Sequence, residues 1–273
     1  MLIKYDTQYD GEISELVKSY PMEWGESMWT VLALEQGVVV GIGSLSTNDF
    51  HLNREYLKVF VHPVKREIGI GREIFEALYA QSTQKKFQAA ISSKDVMAIS
   101  FVKSYGFKLA RKSYTPQLKN DNPMIDTQYP TIQELSIARQ NEVFALQFDN
   151  YCEFHHAINP LNEQISIHEW KEVVLDELAL NQSYVLLRDE EVEAYVLCYE
   201  GEEPGQIEIG YVGGREMASV SEYTIFYKQV ADQLIKDFVV VEIEADDVDP
   251  YASALLNQYA YDRSDSFDTY IFG

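Results

Sequence analysis

Between residues 56 and 80 the chain changes character twice in a way that few folds can accommodate. Tyr56-Leu-Lys-Val-Phe-Val61 is a β-type apolar run. It leads into Val61-His-Pro-Val-Lys-Arg66-Glu-Ile-Gly69-Ile-Gly71-Arg72, a basic loop with two glycines. Glu73-Ile-Phe-Glu-Ala-Leu-Tyr-Ala80, with the composition of a helix, follows. Strand, short glycine loop and helix together make an anion site from backbone alone. The first amides of a helix have no intrahelical acceptor, and the helix dipole adds partial positive charge where they point. Gly69 and Gly71 remove the side chains that would hold an anion away from those amides.

The spacing excludes two common phosphate loops. No Gly-Lys-Ser/Thr closes the segment, so it is not a Walker loop, and the first glycine of G-x-G-x-x-G is missing. What remains is R-x-x-G-x-G after V-x-P, carried by Val61, Pro63, Arg66, Gly69 and Gly71. A second pattern follows in Asp95-Val-Met-Ala-Ile-Ser-Phe101-Val-Lys-Ser-Tyr-Gly106-Phe107, which reads as a short helix stopped at a glycine C-cap before a strand. In that order, the two motifs resemble the GCN5-related N-acetyltransferase (GNAT) family. There the first is the coenzyme A pyrophosphate loop, and the second reads Asn-x-x-Ala-x-x-Phe-Tyr-x-x-x-Gly-Phe.

Composition narrows the setting. The 273 residues suffice for two domains of ordinary size, and no apolar run approaches a membrane span. Met1-Leu-Ile-Lys-Tyr-Asp lacks the apolar stretch of a secretory signal. Cys152 and Cys198 form no disulfide framework, so a reducing cytoplasm is the expected setting. Charge is lopsided. Residues 1–123 hold 15 Lys/Arg against 14 Asp/Glu, whereas residues 124–273 hold 7 against 30. A balance of −23 in the second half disfavours nucleic acid and anionic membranes and attracts cations.

The charge balance changes at the turn-rich Thr115-Pro-Gln-Leu-Lys-Asn-Asp-Asn-Pro123, which suggests a first domain over 1–118 and a second over 126–273. Each half reads as mixed α/β. In the first, a strand opening at Met28 and another over Val38–Leu45 flank the turn Glu35-Gln-Gly37. In the second, Ser183–Asp189 and Val192–Cys198 flank a Glu-Glu turn. Asp249-Pro-Tyr-Ala252 through Tyr261 can be set on the Asp95 segment, matching Asp95 with Asp249, Ala98 with Ala252 and Tyr105 with Tyr259. The expected fold is therefore an α/β (α+β) mixed sheet with flanking helices, occurring twice in tandem. The second copy has lost R-x-x-G-x-G: after Val212 it reads Gly-Gly-Arg-Glu-Met-Ala-Ser.

The resemblance implies acetyl transfer from acetyl-CoA to the amine of a cationic small molecule or peptide, with no metal. It implies that coenzyme A lies against the backbone of Val59, Phe60 and Val61, the loop Arg66, Glu67, Ile68, Gly69, Ile70, Gly71 and Arg72, and the helix carrying Asp95 and Phe101. Glu55, six residues before Val61, stands where some members place a carboxylate base. The family's tyrosine acid should follow Phe101, but Val102 is there. Tyr105, one helical turn on, is the substitute candidate, with core packing as its alternative. Asp95 replaces the usual asparagine and can still cap its helix. The alternative function is a binding or regulatory protein of the same fold without turnover. Cys152 and His156 share a helical face, but no further ligand pair makes a metal site of them.

Overall fold

The computed structural model describes residues 1–4, 7–18, 29–123 and 128–273. Met28, where a strand was expected to open, and Asp126, the expected start of the second domain, lie outside the described residues. In chain order the elements are β1 (Leu2–Lys4), α1 (Asp10–Val17), β2 (Trp29–Glu35), β3 (Val38–Asn48), β4 (His51–Val61), α2 (Ile70–Gln81), β5 (Phe87–Ser92), α3 (Val96–Ser104) and β6 (Lys108–Tyr114). They continue with α4 (Ile137–His155), α5 (Ile167–Leu175), β7 (Tyr184–Arg188), β8 (Glu191–Glu200), β9 (Gln206–Gly214), α6 (Val220–Asp237), β10 (Val240–Ile243), β11 (Ala245–Asp246), α7 (Pro250–Leu256) and β12 (Phe267–Phe272). Two compact units result. One comprises Met1–Ala90, Val102–Leu109 and Tyr270–Gly273, and the other Ile91–Phe101 and Ala110–Thr269.

In the first unit β1 to β5 lie in sequence order. The first four pair antiparallel, and β5 runs parallel to β4. Gln36 and Gly37 make the β2–β3 turn with φ of 52° and 86°, the left-handed pair that a tight two-residue hairpin needs. Helix α2 lies on β3 because Gly41 and Gly43 leave it room. A Cβ on Gly43 would overlap the side chain of Ile74 and come within 2.9 Å of Leu78. Ile74 and Leu78 are both fully buried there. The unit also holds Tyr270–Gly273. The Phe272 ring packs 5.8 Å from Phe87 and 5.3 Å from Phe107, and Arg54 donates to the carbonyls of Phe272 and Gly273.

In the second unit the sheet order is β10-β9-β8-β7, with β10 parallel to β9. The stretch Ser113–Leu118 runs along β11 and β10, pairing Tyr114 with Ala245 and Gln117 with Glu242. Ile207, Ile209, Val241 and Ile243 bury one sheet face against Phe226, Val230 and Leu234 of α6. The β7–β8 turn again has two residues at positive φ, Asp189 (52°) and Glu190 (68°). The helix caps repeat as well. Asp95 accepts from the Ala98 amide at 2.9 Å, and Asp249 from the Ala252 amide at 3.1 Å. Turn for turn and cap for cap, the two halves follow one plan.

Candidate active site

Strand β4 delivers the loop. The amide of His62 donates to Val40 of β3, so the two-residue period turns the peptides of Lys58 and Phe60 toward β3 and those of Leu57, Val59 and Val61 toward the opposite edge. On that edge β5 pairs only with Glu55 and Tyr56. No pair between β4 and β5 is registered beyond Tyr56 and Gln88. Of the three expected backbone contacts, Val59 and Val61 therefore face this opening. Phe60 faces β3, and its ring lies 5.7 Å below the Arg66 guanidinium.

The loop leaves the strand through a 3₁₀ turn, Pro63–Lys65, on which His62 Nδ1 accepts from the Val64 amide at 3.4 Å. Arg66 Nε donates back to the Val61 carbonyl at 3.0 Å and clamps the loop to its strand. Glu67 takes φ of 65°, an uncommon conformation for a side chain with a Cβ, and Gly69 takes 98° as the N-cap of α2. The first helical bond runs from the Glu73 amide to the Gly69 carbonyl. The amides of Gly69, Ile70, Gly71 and Arg72 thus precede the helical ladder and point out of its N-terminus. Ile68 beside them is 65 % exposed. These donor amides at the N-terminus of α2 are carried by the loop that leaves the open edge of β4.

Glu55 is 1 % exposed. Its Oε2 accepts from the hydroxyl of Ser82, the residue that ends α2. Its Oε1 is buried with no partner among the described residues. Counted through the β4–β5 and β9–β10 pairs, Glu55 occupies the level of Ile207, a core residue of the second unit. Tyr105 joins the loop from the other side. Its hydroxyl bonds with Arg72 in the first turn of α2, and its ring lies 4.3 Å from Phe75. Burial raises its pKa, Glu76 adds to this and Arg72 opposes it, so the phenol holds its proton. Val102, where the family has tyrosine, is 5 % exposed and packed in the core. Gly106 follows at φ of 88° with bonds Phe107 N to Val102 O and Gly106 N to Lys103 O, a Schellman stop. Asp95 and Phe101 belong to the second unit by their contacts; Asp95 caps α3, and Phe101 is half-buried.

At the matching place in the second unit, the end of β9 is already satisfied. The Gly213 carbonyl accepts from Tyr227 at 3.2 Å and the Gly214 carbonyl from Asn150 at 3.2 Å. The Arg215 amide donates to Glu193 at 2.8 Å, and its guanidinium to Val192 and Glu142. Among the described residues no three His, Cys, Asp or Glu side chains converge on a metal position, and no helix is long and apolar enough to cross a membrane. Burial and Asp149 raise the Cys152 thiol above its ordinary pKa.

Residues 12–120 match the family model described as "Acetyltransferase (GNAT) domain". A search of curated proteins found no match. Among solved structures, a GCN5-related N-acetyltransferase from Sphaerobacter thermophilus aligns over 100% of this chain and 95% of its own, at 13% identity and TM-score 0.62. A tandem GNAT protein from the clavulanic acid biosynthesis pathway aligns over 100% and 98%, at 13% identity and TM-score 0.57. Across its whole length the chain shares the fold of these two structures. Residues 12–120 are similar to a GNAT acetyltransferase domain, and the chain as a whole has a fold like that of the tandem GNAT protein.

Proposed function

We propose that the first unit binds acetyl-CoA and transfers its acetyl group to the primary amine of a cationic small molecule or peptide. One observation carries this reading. The donor-rich N-terminus of α2 and the unpaired edge of β4 are joined by a single loop, so one extended ligand with a diphosphate and an amide arm can use both. Acetyl-CoA supplies the activated acetyl group. The amides of Gly69 to Arg72 hold the diphosphate, the peptides of Val59 and Val61 hold the arm, and an edge amide donates to the developing oxyanion. Glu55 takes the amine proton through water, and the protonated Tyr105 phenol serves the leaving thiolate. The second unit, with its β9 end satisfied internally, holds no coenzyme A. The reading implies no nucleic-acid partner, no membrane attachment and a cytoplasmic setting.

Calorimetry with acetyl-CoA tests the first step, with one site per chain expected. Thiol release on mixing with a panel of amines tests the second. The enclosure of Glu55 and the loss of the usual tyrosine at Val102 favour one competing reading, a protein that binds the cofactor without turnover. Cofactor binding with no thiol release from any amine would select it.

A further inference from the structure

Glu55 stands at the fork where β5 parts from β4. Its amide donates to the Lys86 carbonyl at 2.9 Å, and the registered pairs of the two strands are Glu55–Phe87 and Tyr56–Gln88. The loop begins six residues further along the same strand, at Val61, about 20 Å away at the rise of extended backbone. A ligand whose anionic end lies on the loop and whose arm follows Val59 therefore runs its far end toward this fork.

One small residue holds the carboxylate there. Ser82 closes α2: its amide donates to the Leu78 carbonyl at 3.0 Å, and its own backbone, at φ of −61° and ψ of 135°, has already left the helix. Its side chain is buried beside Glu55. The Ser82 Oγ accepts from the Lys85 amide at 3.0 Å, in a turn that brings Lys85 to φ of 57° just before β5. That bond uses a lone pair of the hydroxyl and leaves its proton for Glu55, whose Oε2 accepts it. The serine is thus fixed by the turn, and one carboxylate oxygen is fixed by the serine. The other, Oε1, is buried and has no partner among the described residues. A carboxylate oxygen so enclosed is ordinarily met by a water or by a ligand atom.

We infer that Ser82 is a positioning residue for acetyl transfer: by holding Oε2 it fixes the Glu55 carboxylate so that Oε1 receives the amine proton through a bound water. The inference rests on the proposed reading of Glu55 as the base. The water gives one proton to Oε1 as it takes one from the amine, so the water is regenerated and the serine keeps its own hydrogen. Without the hydroxyl, the carboxylate turns about its terminal bond, which has broad minima, and Oε2 is left buried and unpaired. Ser82 acts on the reaction only through Glu55.

The test is steady-state thiol release from acetyl-CoA by the full chain with 1,4-diaminobutane, glucosamine and tetralysine, the fastest of which serves for the variants. Ser82→Ala is expected to lower kcat roughly 10- to 100-fold while acetyl-CoA affinity, read by calorimetry, stays unchanged. Ser82→Thr restores the rate, because it keeps the hydroxyl on an extended backbone that suits a β-branched residue. The Ser82→Ala/Glu55→Gln double variant is expected to be no slower than Glu55→Gln alone, since the serine then has no carboxylate to orient. A further loss in the double variant overturns the inference. So does a full rate in Ser82→Ala beside an impaired Glu55→Gln, or a Ser82→Thr rate as low as that of Ser82→Ala. A fall in acetyl-CoA affinity in Ser82→Ala as large as its fall in rate also overturns it, because the hydroxyl is then merely structural. A full rate in Glu55→Gln removes the base, and the inference with it. Absence of thiol release by the unaltered protein with all three amines removes both the inference and the transfer reading.

Discussion

At the scale of single residues, the loop and the buried carboxylate make different demands. Gly69 sits at φ of 98°, and a Cβ added there meets nothing within 4 Å, so a substitution acts through backbone strain and through what its side chain covers. Gly69→Glu is expected to abolish acetyl-CoA binding by calorimetry, because it strains the N-cap and puts an anion before the helix amides. Gly213→Glu looks like a natural control from the sequence, since the second half lacks the motif, but it is not a clean one. A Cβ at Gly213 would overlap Tyr195 and approach Asn150 Nδ2 to 2.5 Å, so that variant disrupts the second unit itself. For Glu55, replacement by Gln is expected to lower the acetyl-transfer rate by about 10²- to 10⁴-fold while leaving acetyl-CoA affinity unchanged, read by thiol release and calorimetry together. The motif residues were legible because a glycine loop is a local device. The burial of Glu55 was not, because the hydroxyl that meets it belongs to Ser82, 27 positions away.

At the scale of elements, the glycines of β3 decide how closely α2 approaches the sheet, and with it where the amides at its N-terminus point. Gly43→Ala is expected to destabilise the first unit by about 1–3 kcal/mol in urea unfolding, because the added methyl overlaps Ile74 in a filled core. Hairpins, the α2 and α6 helices and the α3 stop could be read from pattern and turn chemistry, since each is set by residues within a few positions. The Gln36-Gly37 turn and the Schellman stop at Gly106 are of this kind. The strands β1, β11 and β12 gave no comparable signal. They are short, and pairing with distant segments defines them, as when Leu2 and Ile3 align with Ala33 and Leu32.

At the scale of the whole chain, a net charge of −22 at pH 7 concentrates in residues 124–273, and several of those acids are desolvated. Burial raises Asp249 to about 7 despite its bonds from the Tyr251 and Ala252 amides. The folded state therefore binds a proton that the unfolded state has released, and the contribution of Asp249 to stability falls as pH rises from about 4 to about 7. Glu208 and Glu244 are shifted in the same direction. Urea unfolding is expected to show declining stability over that window. Asp249→Asn should flatten the decline while keeping the α7 cap, because asparagine caps as well as aspartate.

The amino-acid sequence by itself determined the loop, the tight turns, the helix caps and the duplicated plan, because each is a short-range agreement between residue type and backbone geometry. The tertiary structure alone decided that β5 leaves β4 after Tyr56, that Glu55 lies enclosed beside Ser82, and that Tyr270–Gly273 serve the first unit. Those outcomes depend on which distant segments pack together, and packing is set by the shape of the assembled core rather than by any window of the chain.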